Sequence, residues 1–292
     1  MISSSIEDTM DVLTRWGLPP LQPGKPADAE LLATREQVIG LEAIQIGDPA
    51  VSLSQRQIGA IRCLVATPAA VSGTMIYFHG GGYRVGRPEL SAGWASRIAA
   101  RTGLEVVLPA YALAPEHPYP AALASAAEVY DSLLGQPRLI VAGESAGGGL
   151  AAALALAAAT SGKRRPDALI LLSPWLDLSA SGESFVSAAA TDTMFSRQAA
   201  LDAAEGYRAD ATIPSVLDAD AGLFPPAWLC ASAHEVLRDD AVAFAGLLAR
   251  AGGRVELTVA PDLPHVWPIF QPDSSETART LASIAAFADT IG

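Results

Sequence analysis

Leu139-Ile140-Val141-Ala142-Gly143-Glu144-Ser145-Ala146-Gly147 is the stretch on which the reading of this chain turns. A strand-like apolar run enters it and an alanine-rich helical stretch leaves it. Small residues flank Ser145, as a chain requires when it reverses sharply from strand into helix without side-chain clashes. Such a turn thrusts the serine hydroxyl above a sheet edge, beside the N-terminus of the following helix. The five-residue pattern also arises by chance, so its weight depends on what surrounds it.

That context lies upstream. Residues 75–82 read Met-Ile-Tyr-Phe-His-Gly-Gly-Gly, an apolar run ending in His79 and three glycines. Without side chains, glycine backbone lets N–H groups point into a cavity and approach a ligand closely. In acyl transfer such donors stabilise the oxyanion of a tetrahedral intermediate, each by about 3–4 kcal/mol. An ordinary glycine turn after a strand is the alternative, and the pairing with Gly143–Gly147 weighs against it.

With 292 residues the chain can bury a large core, and half of it is hydrophobic. Mean hydropathy is slightly positive, yet no apolar run approaches the length of a membrane span. The start, Met1-Ile2-Ser3-Ser4-Ser5-Ile6-Glu7-Asp8, lacks the basic and apolar regions of a signal peptide. The expectation is a soluble, cytoplasmic protein. A formal net charge of −12 argues against nucleic-acid binding, because phosphate backbones need basic surface. Lys25 and Lys163 are the only lysines, and neither has the apolar setting of a Schiff-base lysine. Cys63 and Cys230 lie in strand-like apolar runs, where a free cysteine acts as a small hydrophobe. With no CxxC spacing they suggest neither zinc nor a disulfide framework.

Strand-like runs cover 57–66, 74–79, 104–108, 138–143, 168–172, 227–231 and 255–259. Helical patterns fall around 90–102, 118–134, 145–161, 237–251 and 275–290. This alternation predicts right-handed βαβ units, a mostly parallel sheet with helices on both faces, and an antiparallel edge from the early strands. The alanine-rich helix reads as a tightly packed buried helix. Two segments break the alternation. Residues 1–40 hold amphipathic pieces interrupted by Pro19-Pro20 and Pro23-Gly24-Lys25-Pro26, and residues 178–224 form a long excursion rich in Ala, Ser and Asp. Long connections of this kind are usually lids or binding elements. The expectation is one domain over 1–292, with a cap formed by about 1–40 and 178–224.

A serine hydroxyl becomes a nucleophile when a base takes its proton, and histidine is the usual base. The chain has four histidines. His79 opens the glycine run, His117 lies in a proline-framed loop, and His234 ends a strand beside Glu235. His265, in Leu263-Pro264-His265-Val266-Trp267, follows the last strand-like run. Functional groups gather at the carboxyl ends of strands in doubly wound sheets, which favours His265. The acid that holds its tautomer is sought after the strand at 227–231, among Glu235, Asp239 and Asp240. Glu235 falls just beyond the strand end. Asp239 and Asp240 fall on the next helix, where solvent-facing N-terminal charges are common, and Asp239 stays the alternative.

Taken together these motifs resemble the hormone-sensitive-lipase-like branch of the α/β-hydrolases, the bacterial family IV esterases. The resemblance rests on His79-Gly80-Gly81-Gly82, Tyr111-Ala112-Leu113-Ala114-Pro115-Glu116-His117-Pro118, Gly143-Glu144-Ser145-Ala146-Gly147-Gly148, Leu237-Arg238-Asp239 and His265. It implies an α/β-hydrolase fold with a mostly parallel eight-stranded sheet and a small helical cap. It further implies serine-dependent ester hydrolysis without metal or organic cofactor, and an oxyanion hole from the N–H groups of Gly81, Gly82 and Ala146. The family usually has Asp-x-Leu-x-Asp where this chain has Glu235-Val236-Leu237-Arg238-Asp239. Glutamate keeps the charge and adds one carbon bond, about 1.5 Å of reach. In the same pattern His117 and Glu116 are expected to form a structural pair.

The expected activity is a serine carboxylesterase acting on short- to medium-chain esters, with Ser145, His265 and Glu235 as catalytic residues. Trp175, Phe195 and Trp267 are candidate pocket walls. Alternatives are a lactone hydrolase (for example of terpene-derived lactones), an N-acetyl-peptide deacetylase, and a non-catalytic ligand-binding member of the fold, against which His265 argues. The expected partner is a small-molecule ester or lactone, and a homodimer is left open.

Overall fold

The apolar runs become strands of a single eight-stranded sheet. The computed structural model describes residues 6–44 and 46–291, so residues 1–5, 45 and 292 of the expected domain and cap lie outside the description. The strands are β1 Ser52–Ile58, β2 Ile61–Thr67, β3 Gly73–Phe78, β4 Leu104–Pro109, β5 Leu139–Glu144, β6 Ala168–Leu172, β7 Ala227–Ser232 and β8 Val255–Ala260. Their spatial order is β1-β2-β4-β3-β5-β6-β7-β8. β2 runs antiparallel to both β1 and β4, and every other pairing is parallel.

Two details differ from the sequence reading. The run 57–66 is not one strand but the end of β1, a turn at Gly59-Ala60, and most of β2. β1 is polar and exposed along nearly its whole length. It is a strand because its backbone pairs with β2 from Ser52↔Thr67 to Ile58↔Ile61, not because it buries a face. The run at 74–79 is not part of the antiparallel edge: β3 sits between β4 and β5 and is parallel to both.

Ten helices are described: α1 Ile6–Trp16, α2 Ala29–Gly40, α3 Ala92–Thr102, α4 Ala121–Leu133, α5 Ala146–Thr160, α6 Ser184–Ser187, α7 Arg197–Arg208, α8 Arg238–Arg250, α9 Trp267–Phe270 and α10 Ser275–Asp289. The central strands are buried on both faces, and their side chains alternate between two cores with the period of two that a pleated strand imposes. Ile76 and Phe78 of β3, Val141 of β5, Leu171 of β6 and Leu229 of β7 enter the core beneath α4, α5 and α8. Their neighbours Met75, Tyr77, Ile140, Ile170 and Trp228 enter the core beneath α3 and α10, with Trp94, Ile98 and Phe287. Cys63 and Cys230 belong to these two cores as free, buried thiols. α5 is buried along most of its length, and its alanines allow close approach to the sheet.

Parallel β3, β5, β6, β7 and β8 present their carboxyl ends along one edge of the sheet. α2 and the excursion after β6 reach that edge and line a cavity there, whereas α1 docks at the other end, on the last turn of α4. α1 is held to α4 by the Trp16 indole N–H donating to Asp131 Oδ2 at 3.0 Å, by an Arg15–Asp131 ion pair and by Lys163 Nζ 4.9 Å from the Trp16 ring centre. α2 begins at Asp28, whose carboxylate accepts from Leu31 N–H at 2.8 Å. Its Arg35 donates to Glu116 through two nitrogens (2.6 and 2.8 Å) and to the carbonyls of Arg84 and Ala114. Glu116 therefore takes Arg35 as its hydrogen-bonded partner, and this pairing, with a smaller charge attraction from His117, pulls its carboxyl below the usual range. Among the described residues no helix is long and apolar enough to cross a membrane.

Candidate active site

β5 ends at Glu144, α5 begins at Ala146, and Ser145 joins them at φ 53° and ψ −123°. A non-glycine residue with this backbone costs about 1–3 kcal/mol and persists only when its surroundings determine it. Here they do. Ser145 N–H donates to Leu172 O (3.0 Å), and Ser145 O accepts from Gly149 N–H (3.1 Å) and Trp175 N–H (2.9 Å). A Cβ on Gly147 would collide with the carbonyl oxygens of Phe78 and His79, so only glycine lets the helix start this close to β3. The turn and the end of β3 are thereby packed backbone to backbone.

The glycine run leaves β3 across the mouth of the same turn. Gly81 adopts φ +112°, and any Cβ there would run into Val85 O. Its carbonyl accepts from the N–H groups of Arg84 and Val85, which closes the loop. Among the described residues nothing accepts the N–H of Gly81 or Gly82. Three side chains fix the approach to this loop. Tyr111 donates its hydroxyl to His79 O at 2.7 Å and stacks on the His79 ring, with centroids 4.3 Å apart. Burial depresses His79 to a pKa of about 4, so the ring is neutral. Its Nδ1–H can then donate to Gly80 O at 2.7 Å. Glu144, beside the serine, accepts from Gly80 N–H (2.8 Å) and from the Ser91 hydroxyl (2.9 Å). Burial lifts its carboxyl to about 7.

β7 and β8 deliver the remaining pair. Glu235 lies on the turn after β7 and is fully buried, and His265 lies between β8 and α9 and is 7% exposed. His265 Nδ1 stands 2.9 Å from Glu235 Oε2. Among the described residues Glu235 Oε1 has no hydrogen-bond partner. The two loops are tied by the Ser232 hydroxyl, which donates to Leu263 O. Asp239 is partly exposed and paired with Arg238, as helix-start charges often are, whereas Asp240 is turned inward. Asp239 accepts from Ser184 N–H at 2.8 Å. Asp240 is 2% exposed and accepts from the N–H groups of Leu176 and Asp177. Both carboxylates pin the excursion after β6 to the start of α8.

Ser145, Gly81, Gly82 and His265 line one cavity of about 900 Å³. It is walled on one side by Leu31, Val38 and Leu41 and on the other by Met194, Phe195 and Ala203. Of the three aromatic side chains expected on the wall, Phe195 is there, its ring nearly parallel to that of His265 at 6.4 Å. Trp175 stands behind Phe195 (5.6 Å) and Tyr83 (6.0 Å), with its indole N–H on Asp177 O. Trp267 turns the other way, because Val266 takes a left-handed conformation (φ 51°) and sends α9 into the core beside α3 and α10. Sequence reasoning passed over Glu144, Ser91 and Ile269 as cavity-lining residues. Only Glu144 had a signal, its place inside the serine motif.

A residue set of this kind can deprotonate a hydroxyl, hold an oxyanion and enclose a small organic ligand. Among the described residues no three His, Cys, Asp or Glu side chains converge as metal ligands. A family with the alpha/beta hydrolase fold matches residues 75–269. An acetyl-hydrolase of Streptomyces hygroscopicus is 34% identical over 232 residues, which is 76% of this chain and 78% of the relative. An esterase of Acinetobacter venetianus is 30% identical over 236 residues, 78% of each. The crystal structure of an esterase from the bacterial hormone-sensitive lipase family superposes with a TM-score of 0.85 at 28% identity, covering 99% of this chain and 100% of that one.

Proposed function

The chain belongs to the alpha/beta hydrolase family, in its hormone-sensitive-lipase-like branch, and from that premise we propose that it is a serine carboxylesterase for short- to medium-chain esters. One observation carries this reading. A serine held at φ 53° opens into the same cavity as two undonated glycine N–H groups and a histidine whose far nitrogen meets a buried glutamate at 2.9 Å.

In this mechanism Ser145 Oγ attacks the ester carbonyl while His265 Nε2 takes its proton. Glu235 accepts the Nδ1–H of His265, which selects the tautomer and stabilises the imidazolium. Charge developing on the carbonyl oxygen is held by the N–H groups of Gly81, Gly82 and Ala146, helped by the positive end of the α5 dipole. Collapse expels the alcohol, which takes the proton from His265, and leaves an acyl group on Ser145. Water, deprotonated by His265, then attacks the acyl carbonyl and releases the acid and the free serine. Among the described hydrogen bonds none joins Ser145 to His265, and such contacts commonly tighten only when substrate is bound.

The same reading takes the chain as one catalytic domain whose cap comes from about 1–40 and 178–224. The substrate is a small ester with room in the cavity for a medium acyl chain. The relative named acetyl-hydrolase keeps acetyl compounds in the substrate set, esters and N-acetyl amides alike. Turnover of p-nitrophenyl acetate, butyrate and octanoate, with lactones and N-acetyl amides in parallel, tests the proposal. Ser145→Ala should lower kcat on the order of 10⁶-fold and abolish labelling by a fluorophosphonate. Retention of a few per cent of activity in that variant would sink the mechanism.

A further inference from the structure

Thr191 and Asp192 lie outside the cavity lining, in the excursion between β6 and β7, yet they hold both peptide units of Glu235. The Thr191 hydroxyl donates to His234 O at 3.1 Å, on the peptide before Glu235. Asp192 Oδ2 accepts from Val236 N–H at 2.9 Å, on the peptide after it. Glu235 and Val236 are fully buried, so in the intact fold Asp192 is what satisfies this N–H. The other carboxylate oxygen of Asp192 points away from Glu235. Oδ1 accepts from Met194 N–H (2.9 Å) and Phe195 N–H (3.0 Å), an Asx-type turn that sets two residues of the cavity wall.

One carboxylate thus joins the strand end that carries Glu235 to the wall that faces the substrate. The need for such a brace is visible at Glu235 itself. Its carboxylate has His265 as its hydrogen-bond partner through Oε2, while among the described residues Oε1 has none. With no second bond to orient the carboxylate, its direction depends on the backbone that bears it. That backbone is gripped by Thr191 and Asp192.

We propose that Asp192 is a positioning residue for the reaction, aligning Glu235 on His265 through Val236 N–H while setting the acyl-facing wall through Met194 and Phe195. The inference rests on Glu235 being the acid of the reaction. It makes the excursion part of the catalytic alignment, and links acyl-chain preference to turnover through a single side chain.

The test compares Asp192→Ala and Asp192→Asn with wild type on p-nitrophenyl acetate and octanoate, with rates normalised to active sites titrated by a fluorophosphonate. Asp192→Ala should lower kcat per titrated site about tenfold or more on both esters, since misplacement by a fraction of an ångström is costly. It should also raise KM for octanoate and leave KM for acetate unchanged. Asparagine has one acceptor oxygen and can serve one side only. Asp192→Asn should therefore show the kcat loss or the octanoate KM rise, and it decides the matter alone if the alanine variant does not fold. A lower titre with unchanged kcat and KM per titrated site would overturn the proposal, because it is what a purely structural residue gives. Wild-type turnover that Ser145→Ala abolishes keeps the esterase reading intact whatever Asp192 does. Wild type that turns over no ester defeats that reading first.

Discussion

The ring of Tyr83 lies flat on the ring of Tyr207, with centroids 3.8 Å apart and planes 3° from parallel. Tyr83 directly follows the glycine run and Tyr207 closes α7, so the stack joins the oxyanion-side loop to the excursion after β6. Tyr207 also meets Tyr119 edge-on at 6.0 Å. Tyr83 is itself held at φ 61° and packs near Trp175. The loop is therefore braced from above by an aromatic cluster as well as from below by Glu144.

Removing the upper brace should cost turnover. An aromatic pair contributes about 0.5–1.5 kcal/mol beyond its buried area, so Tyr207→Ala should lower kcat by up to roughly tenfold. Tyr207→Phe keeps the stack and should stay near wild type. Steady-state kinetics on p-nitrophenyl acetate, with thermal melts of both variants, separate loop misplacement from general loss of fold.

Glu235 and Asp239 are distinguished by what they touch. Glu235→Ala should lower kcat on the order of 10⁴-fold, as loss of a triad acid does, while Asp239→Ala releases Ser184 N–H and should cost less than tenfold. Glu235→Asp should keep substantial activity. If Asp239→Ala is instead the inactive variant, the acid has been assigned to the wrong residue.

Arg35 is the hinge pin of the N-terminal segment. Its four hydrogen bonds reach Glu116, Ala114 and Arg84, and α2 supplies Leu31 and Val38 to the cavity wall. Arg35→Ala should raise KM for octanoate several-fold and leave acetate hydrolysis unchanged. Deletion of residues 1–35 should give the same pattern more strongly. A uniform change across an acyl-chain series, in protein still folded by circular dichroism, would show that the segment does not contact substrate.

Glu144 carries a pH signature. Its folded-state pKa, raised by burial to about 7 from 4.5, means that the folded state holds a proton the unfolded chain has already released. Stability attributable to this group is therefore present below pH 4.5 and falls as pH rises toward 7. Asp240, raised to about 7, acts in the same direction, whereas His79, lowered to about 4, opposes both between pH 4 and 6.5. Glutamine can still accept from Gly80 and Ser91 but does not titrate. Urea unfolding should show the stability of Glu144→Gln relative to wild type growing by about 1–2 kcal/mol between pH 5.5 and pH 8. An unchanged difference at the two pH values would mean that Glu144 ionises normally in the fold.

How much of this could be read in advance depended on the range of the forces involved. Buried strands announce themselves because both faces are apolar, as in Leu139-Ile140-Val141-Ala142 or Ala168 to Leu172. β1 did not, since Ser52-Leu53-Ser54-Gln55-Arg56-Gln57 buries nothing and exists through its ladder with β2. The address of Ser145 was local, written in small residues two positions either side. Glu235 against Asp239 was harder, because four residues separate them and only the fold shows which carboxylate faces His265. Trp175 and Trp267 look alike as aromatic residues near motifs. Their different destinations depend on the left-handed Ser173 and Val266, which no local pattern marks. Asp192 carried no signal at all, since its partner Val236 lies 44 residues away.

The N-terminal segment also sets an order of events in synthesis. Arg15 needs Asp131, and Arg35 needs Glu116, so each waits for chain made 116 or 81 residues later. When α1 and α2 leave the ribosome, none of the surfaces they will cover exists. Contacts of such long separation form late, after loop-closure entropy has been overcome elsewhere. α1 and α2 are thus made before the surfaces they cover and dock after them, and the cavity acquires the wall supplied by α2 only after the sheet behind it has begun to form.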